Sequence, residues 1–516
     1  MNHDDKSGGI LILDFGSQYT QLIARRIREF EVYSEILPWN VSPDEIRARH
    51  PKGIILSGGP RSTVGPDAPD IDRSIVSGAV PVLGICYGMQ LLANMLGGSV
   101  ERGRLGEYGR TSVKLDKSRE AKIFKDVPDG IDVWMSHWDE VSKLPDGAVS
   151  LGSSESGACA AFSMDNDMIT ALQFHPEVET TQYGREMLSA FVFDVCGCDA
   201  NWKLGDWTAR SLAVMKEQIG ETDRIVCGLS GGVDSTVAAV LVSKVAGDRL
   251  DCIFVDHGFL RKDEADLVLE MYKRLNLRVR RVNAQDRFLG ALKDKTSPED
   301  KRKIIGELFV RVFEESAKSE GGAEWLLQGT IYPDVIESGF VGGDVIKSHH
   351  NVGGLPDDLE MSLLEPLREL FKDEVRKIGP LLDIPDDFLK RHPFPGPGLA
   401  VRCLGSLTKE RLDILREADA IFIEEIKSSG LYDSIWQAFC VLLPVRSVGV
   451  AGDARTYGET VVLRAVKSLD AMTAESVRLP WDLVDRVTKR ICGEVPQVGR
   501  VVLDVTGKPP ATIEWE

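Results

Sequence analysis

Positive charge is in short supply. Across 516 residues, 62 Lys and Arg face 80 Asp and Glu, a net charge of −18 at neutral pH. A surface this acidic repels phosphate backbones and anionic lipid, which argues against general nucleic-acid or membrane binding. Any anionic ligand must then be met by locally placed cations or backbone N–H groups. Cysteine is sparse too: 9 residues, none in a zinc-type CxxC pair, with Cys196 and Cys198 the only close pair. Zinc is therefore not expected, and reduced thiols in the cytoplasm are. No apolar run approaches the length of a membrane span. The opening MNHDDKSGG has acids where a signal peptide needs bases, so none is expected.

What remains is an ordinary globular composition, 43% apolar and 28% charged, with a mean hydropathy of −0.11. At about 150 residues per domain the length argues for roughly three domains. The first stretch alternates short apolar runs (GILILDFGSQ, GIILSGGP, VPVLGICYG, ITALQFHPE) with helical segments such as YTQLIARRIREF. Runs apolar throughout indicate strands buried in a mostly parallel α/β sheet. The pattern breaks near residue 200 and starts again with RIVCGLSGGVDS, TVAAVLVSKVAG and DCIFVDHG. Pro393, Pro395 and Pro397 fall within five residues, which no helix or central strand tolerates. The expected fold is α/β: two doubly wound parallel-sheet domains, 1–201 and 202–393, and a smaller α+β domain, 394–516.

Two glycine-rich turns carry the chemistry. Gly84-Ile85-Cys86-Tyr87-Gly88 lies between a strand and a helix, which is the nucleophile-elbow pattern with Cys in place of Ser. The helix N-terminus favours a thiolate and offers the Tyr87 N–H to an oxyanion. A buried structural cysteine would look the same, but His175-Pro176-Glu177 follows another strand. Residues i and i+2 on an extended segment face the same way. His175 as base and Glu177 as its orienting acceptor complete a Cys-His-Glu triad. Gly59, in the Ser57–Pro60 turn, is a candidate second oxyanion donor. With LDFGSQ, GEYG and SHWDEV, these motifs make residues 9–200 resemble the class I glutamine amidotransferase domain. That resemblance implies glutamine hydrolysis through a thioester on Cys86, with Gln90 and the 136–139 stretch near the bound glutamine.

The second turn, Ser230-Gly231-Gly232-Val233-Asp234-Ser235, also lies between strand and helix, where adjacent N–H groups and the helix dipole converge on phosphate. It lacks the Gly-Lys-Ser/Thr of a Walker loop. Asp256, at the end of the next strand, sits in the nucleotide crevice, contacting ribose or capping its own turn. The turn resembles the PP-loop of the N-type ATP pyrophosphatases. KRKIIG, YPDVIES, SHHNVGGLP, HPFPGPGLAVR, LPVRSVGV and KPPATIEWE extend the likeness over essentially the whole chain to the GMP synthetase family.

This resemblance implies ATP held by the 230–235 residues, Thr236 and Lys372, with Mg2+ accompanying ATP and no separate metal site. It further implies xanthosine 5′-monophosphate (XMP) held by Arg302, Gln437, Arg500, Lys508, Ile513 and Glu514. L-Glutamine is the nitrogen donor and the C-terminal domain forms a homodimer. Asp334, Glu337 and Lys347 are expected in or beside a lid hinged at Gly353-Gly354. The alternatives are another PP-loop amidotransferase or ligase, and a non-catalytic nucleotide-binding protein. The acidic charge opposes a tRNA substrate, and the intact Cys86, His175 and Glu177 oppose the non-catalytic reading.

Overall fold

The structure, a computed structural model, describes residues 8–65, 68–76, 80–319, 322–339, 361–451, 454–468 and 473–516. It divides into two compact units, Met1–Trp207 and Thr208–Glu516.

The first unit is built on nine strands: β1 (Ile10–Asp14), β2 (Ser34–Pro38), β3 (Gly53–Leu56), β4 (Val82–Ile85), β5 (Ser99–Leu115), β6 (Gly130–Lys143), β7 (Val149–Ser154), β8 (Cys159–Met164) and β9 (Ile169–Leu172). Their order is β2-β1-β3-β4-β9-β8-β7-β5-β6. The first five in that order are parallel, and β3, β4 and β9 are buried at every position, which is why they read as almost wholly apolar runs. The remaining pairings are antiparallel. This half is an addition to the expected parallel sheet. β6 alternates between buried and less buried positions, and polar residues interrupt the others, so they carry no continuous apolar signal. Because β1, β3, β4 and β9 run the same way, the segments after them gather at one sheet edge: Phe15–Ser17, Ser57–Pro60, Cys86 and His175.

The second unit begins with a wholly parallel sheet of β10 (Ile225–Leu229), β11 (Leu250–Asp256), β12 (Val279–Asn283), β13 (Trp325–Leu327) and β14 (Ser362–Leu364), ordered β12-β11-β10-β13-β14. The 230–235 turn follows β10, and Asp256 ends the adjacent β11, at its C-terminal edge. A second sheet pairs the long hairpin β15 (Gln437–Ala451) and β16 (Ala454–Lys467) with β17 (Glu475–Ser476) and β18 (Val498–Asp504) along the other side of β16. The two sheets share one apolar core: Val226, Ile253 and Phe313 belong to the same cluster as Leu415, Leu442, Val461 and Ile491. The prolines at 393–397 thus mark a passage from one sheet to the other inside a compact unit, with no break in the core.

Candidate functional site

Cys86 sits between β4 and the helix Tyr87–Met95 at φ 54°, ψ −105°, a conformation that costs a non-glycine residue energy and recurs where a side chain must be presented at a sharp turn. The turn closes only because its neighbours lack side chains. A Cβ on Gly88 would lie 2.3 Å from the Leu56 carbonyl oxygen, and one on Gly84 would lie 2.6 Å from that of Gly88. The Cys86 N–H donates to Leu172 O of β9 (2.7 Å), and Gly88 N–H donates to Ser57 O (3.1 Å). The Tyr87 N–H lies in the first turn of its helix, where intrahelical acceptors are missing.

His175 and Glu177 are both buried, and Nδ1 of the imidazole is 2.7 Å from Glu177 Oε1. Burial alone would lower the proton affinity of His175, but Glu177 and a hydrogen bond to Cys86 raise it well above the ordinary histidine range. A thiol at a helix N-terminus beside a carboxylate-held imidazole is the set of groups that acyl transfer requires.

Contacts from four residues hold the histidine segment in ways no motif announced. The His175 N–H donates to Trp134 O (3.0 Å). The Thr181 hydroxyl donates to His175 O (2.6 Å) while accepting from Trp134 N–H (3.0 Å). Arg26 Nε donates to Glu177 O (3.2 Å). The Tyr19 ring meets His175 edge-on at 5.0 Å. Gly58, next to Gly59, lies beside both reactive groups: a Cβ there would lie 3.1 Å from His175 Cε1 and 3.6 Å from Cys86 Cβ.

Gln90 Nε2 donates to Asp139 O (2.8 Å). His137 bridges the same carbonyl (Nδ1, 3.0 Å) and Glu107 Oε2 (Nε2, 3.0 Å). Burial opposes ionisation of Glu107, yet hydrogen bonds from His137, Ser154 and Ser156 pull its carboxyl down to about 2.

In the second unit the 230–235 turn follows β10, with Gly231 at φ +82°, and opens the helix Val233–Ala246. Ser235 and Thr236 hydroxyls both donate to Gly232 O (3.3 and 2.8 Å). Asp234 Oδ2 lies 3.2 Å from Lys372 Nζ, so the structure joins two residues 138 positions apart. Asp234 Oδ1 is buried and has no hydrogen-bond partner among the described residues. Asp334 lies in the first turn of the helix Tyr332–Gly339 and accepts from Ile331 N–H (2.9 Å). Burial foremost, and the nearby Asp234 charge, push its carboxyl up. Asp256 caps its own turn, accepting from Gly258 N–H (3.1 Å), Gln285 Nε2 (3.0 Å) and Arg281. The Glu337 side chain, Lys347, the adjacent histidines and Gly353-Gly354 lie outside the described residues. Among the described residues no three His, Cys, Asp or Glu are grouped to hold a metal ion.

The last residues are fastened down. Glu514 accepts from Arg402 (3.0 and 2.7 Å) and from Gln437 Nε2 (2.9 Å). Arg302 donates to Glu516 O. Lys508 pairs through its backbone with Ala474, and Ile513 is buried against Phe439 and Val462. Arg500 stands apart: it is exposed on β18 opposite Thr460, whereas Gln437 pairs with Val466, six residues and roughly 20 Å farther along β16.

Three family models match the chain: Glutamine amidotransferase class-I over residues 11–195, NAD synthase over 209–311, and GMP synthase C terminal domain over 424–515. The chain is 53% identical to the GMP synthase (glutamine-hydrolyzing) of Symbiobacterium thermophilum and 53% identical to that of Aquifex aeolicus. It is 52% identical to the enzyme of Clostridium botulinum strain Langeland. Each likeness covers 98% of this chain and 99% of the relative. With glutamine-amidotransferase and GMP-synthase models at its two ends and relatives of this identity matched end to end, the chain belongs to the glutamine-hydrolysing GMP synthase family.

Proposed function

We propose that the chain makes GMP from XMP, ATP and glutamine, with the reactions divided between its two units. Cys86 Sγ attacks the glutamine amide carbon while its proton passes to His175, and His175 then protonates the departing ammonia. Water hydrolyses the thioester to glutamate. The Tyr87 and Gly59 N–H groups hold the oxyanion, Glu177 holds the imidazole, and Gln90 contacts the substrate. The observation that carries this reading is Cys86 in its strained turn with the Glu177-held His175 across from it.

In the second unit the xanthine C2 oxygen is a poor leaving group. Attack of that oxygen on the α-phosphorus of ATP expels pyrophosphate and makes AMP the leaving group. Ammonia then displaces AMP at C2. The 230–235 turn with Thr236 and Lys372 cradles the phosphates. Mg2+ bound with the nucleotide would neutralise phosphate charge, and the unpartnered Asp234 Oδ1 is a fitting donor for it. Arg302, Gln437, Lys508, Ile513 and Glu514 hold XMP. Asp334, Glu337 and Lys347 serve as lid residues, and Arg500 serves XMP from β18.

A homodimer through the last domain is supported by exposed apolar side chains on the β15–β16 hairpin, Val445, Val448, Val450 and Tyr457, and on Val502 of β18. We place the protein in the cytoplasm, where its nine free cysteines stay reduced. Incubation with ATP, Mg2+, XMP and glutamine tests the reading. It requires GMP, AMP, pyrophosphate and glutamate. ADP and phosphate in their place would overturn the assignment of the 230–235 turn.

A further inference from the structure

The segment HPFPGPGLAVR ends on Arg402, a fully buried guanidinium to which the chemistry above gives no role. Its backbone is rigidly placed. The Arg402 N–H donates to Leu399 O (3.0 Å), its carbonyl accepts from Leu442 N–H of β15 (2.8 Å), and Leu404 N–H returns a bond to Leu442 O (2.9 Å). Nε and Nη2 take one oxygen each of Glu514, at 3.0 and 2.7 Å, and the Phe439 ring covers the guanidinium at 4.0 Å.

Two more fully buried cations flank it. Lys301 Nζ meets Glu516 Oε2 at 2.5 Å and donates to Cys403 O (2.9 Å). Arg464 donates to the carbonyls of Thr512 (2.8 Å) and Ile513 (2.8 Å). Residues 512–516 are thus gripped from beneath by three cations in a chain that has few to spare. Burial of such charges returns little net stability, because desolvation offsets the pairing. Arg402 Nη1 is moreover buried without a hydrogen-bond partner among the described residues, a loss that a contact serving stability alone would avoid.

We infer that Arg402 is a positioning residue for the purine-nucleotide substrate, acting through Glu514. The inference rests on the reading that Glu514 contacts XMP. A carboxylate near the end of a chain is ordinarily free to rotate. The two-pronged guanidinium fixes its plane, so the lone pair left free on Oε2 points in a set direction at a purine N–H or ribose hydroxyl donor. Gln437, bonded to the same Oε1 at 2.9 Å, holds the other side. The ordering is done before the nucleotide arrives, which lowers its binding cost. Lysine at position 402 would keep the charge and lose the fork.

The test is ammonia-dependent GMP synthesis by the full-length chain, with KM measured separately for XMP and ATP in four variants: Arg402→Lys, Arg402→Met, Glu514→Gln and Arg402→Met/Glu514→Gln. Thermal unfolding reports on the fold. The double variant, which removes both charges together, covers a failure of Arg402→Met to fold. Arg402→Lys is expected to raise the XMP KM about tenfold to a hundredfold while the ATP KM moves far less. The double variant is expected to be no worse than Glu514→Gln alone, because both changes remove one unit. An ordinary XMP KM in a folded Arg402→Lys variant, with Glu514→Gln impaired, would overturn the inference and leave the substrate reading standing. An ordinary XMP KM in Glu514→Gln would overturn both.

Discussion

Gly58→Ala is a one-methyl probe of the space between Cys86 and His175. The added carbon would lie 3.1 Å from His175 Cε1, 3.3 Å from Ser17 Oγ and 3.6 Å from Cys86 Cβ. Relaxed carbon contacts are about 3.5–4.0 Å, so the imidazole must yield by a few tenths of an ångström. It cannot yield freely, because Nδ1 is held by Glu177 at 2.7 Å and its carbonyl by Thr181 at 2.6 Å. Gly58 is not among the residues with positive φ, so the backbone accepts alanine and the effect is purely one of space. Overpacking of this kind costs about 1–3 kcal/mol, and the small overlap puts it at the low end. Replacing glycine also restricts the unfolded chain, which returns about 0.4–1 kcal/mol. Stability should therefore change by less than about 1 kcal/mol. Catalysis should not be spared, since misplacement by about 1 Å can cost a hundredfold. We expect glutamine-dependent synthesis to fall about tenfold to a hundredfold with ammonia-dependent synthesis retained, at a nearly unchanged unfolding midpoint. A wild-type glutamine-dependent rate would refute the geometry, and equal loss with both nitrogen donors would refute the division of labour.

Other predictions follow the same logic. Glu177→Gln should reduce glutamine hydrolysis less than His175→Ala, since it loses orientation and keeps the base; the ratio of the two kcat/KM values checks this. Asp234→Asn should impair synthesis from either nitrogen source and raise the ATP KM, measured by pyrophosphate release. Glu107 is depressed from 4.5 to about 2, so its contribution to stability is fully present above its unfolded value and lost as pH falls toward 2. Acid unfolding should accordingly show a shallower loss of stability in Glu107→Gln than in the wild type between pH 4.5 and pH 2.

The central parallel strands were legible because burial on both faces leaves a strand almost wholly apolar, as in β3, β4 and β9. The antiparallel strands β5 to β8 were not: polar residues interrupt them, through one-sided burial in β6 and through Ser163 in the buried β8. β15 hides its length for a different reason. The register shift between Leu443 and Arg446, at Pro444, divides one 15-residue strand into two unequal pieces of pattern. At the sites, residues within a few positions of one another could be assembled from spacing, as Cys86 with its glycines and His175 with Glu177 were. Partners joined only by the fold could not. Arg402 and Glu514 lie 112 positions apart and Arg26 and Glu177 151, with nothing local to mark them. Gly58 was hidden differently: it looks like half of an ordinary turn until the side chains it separates are in place.

The most direct test of two chemistries in one chain is Cys86→Ala assayed with each nitrogen donor in turn. The account predicts that glutamine-dependent GMP synthesis disappears while synthesis from ammonium salt, with XMP-dependent release of AMP and pyrophosphate, continues near the wild-type rate. Loss of both to the same extent would contradict it.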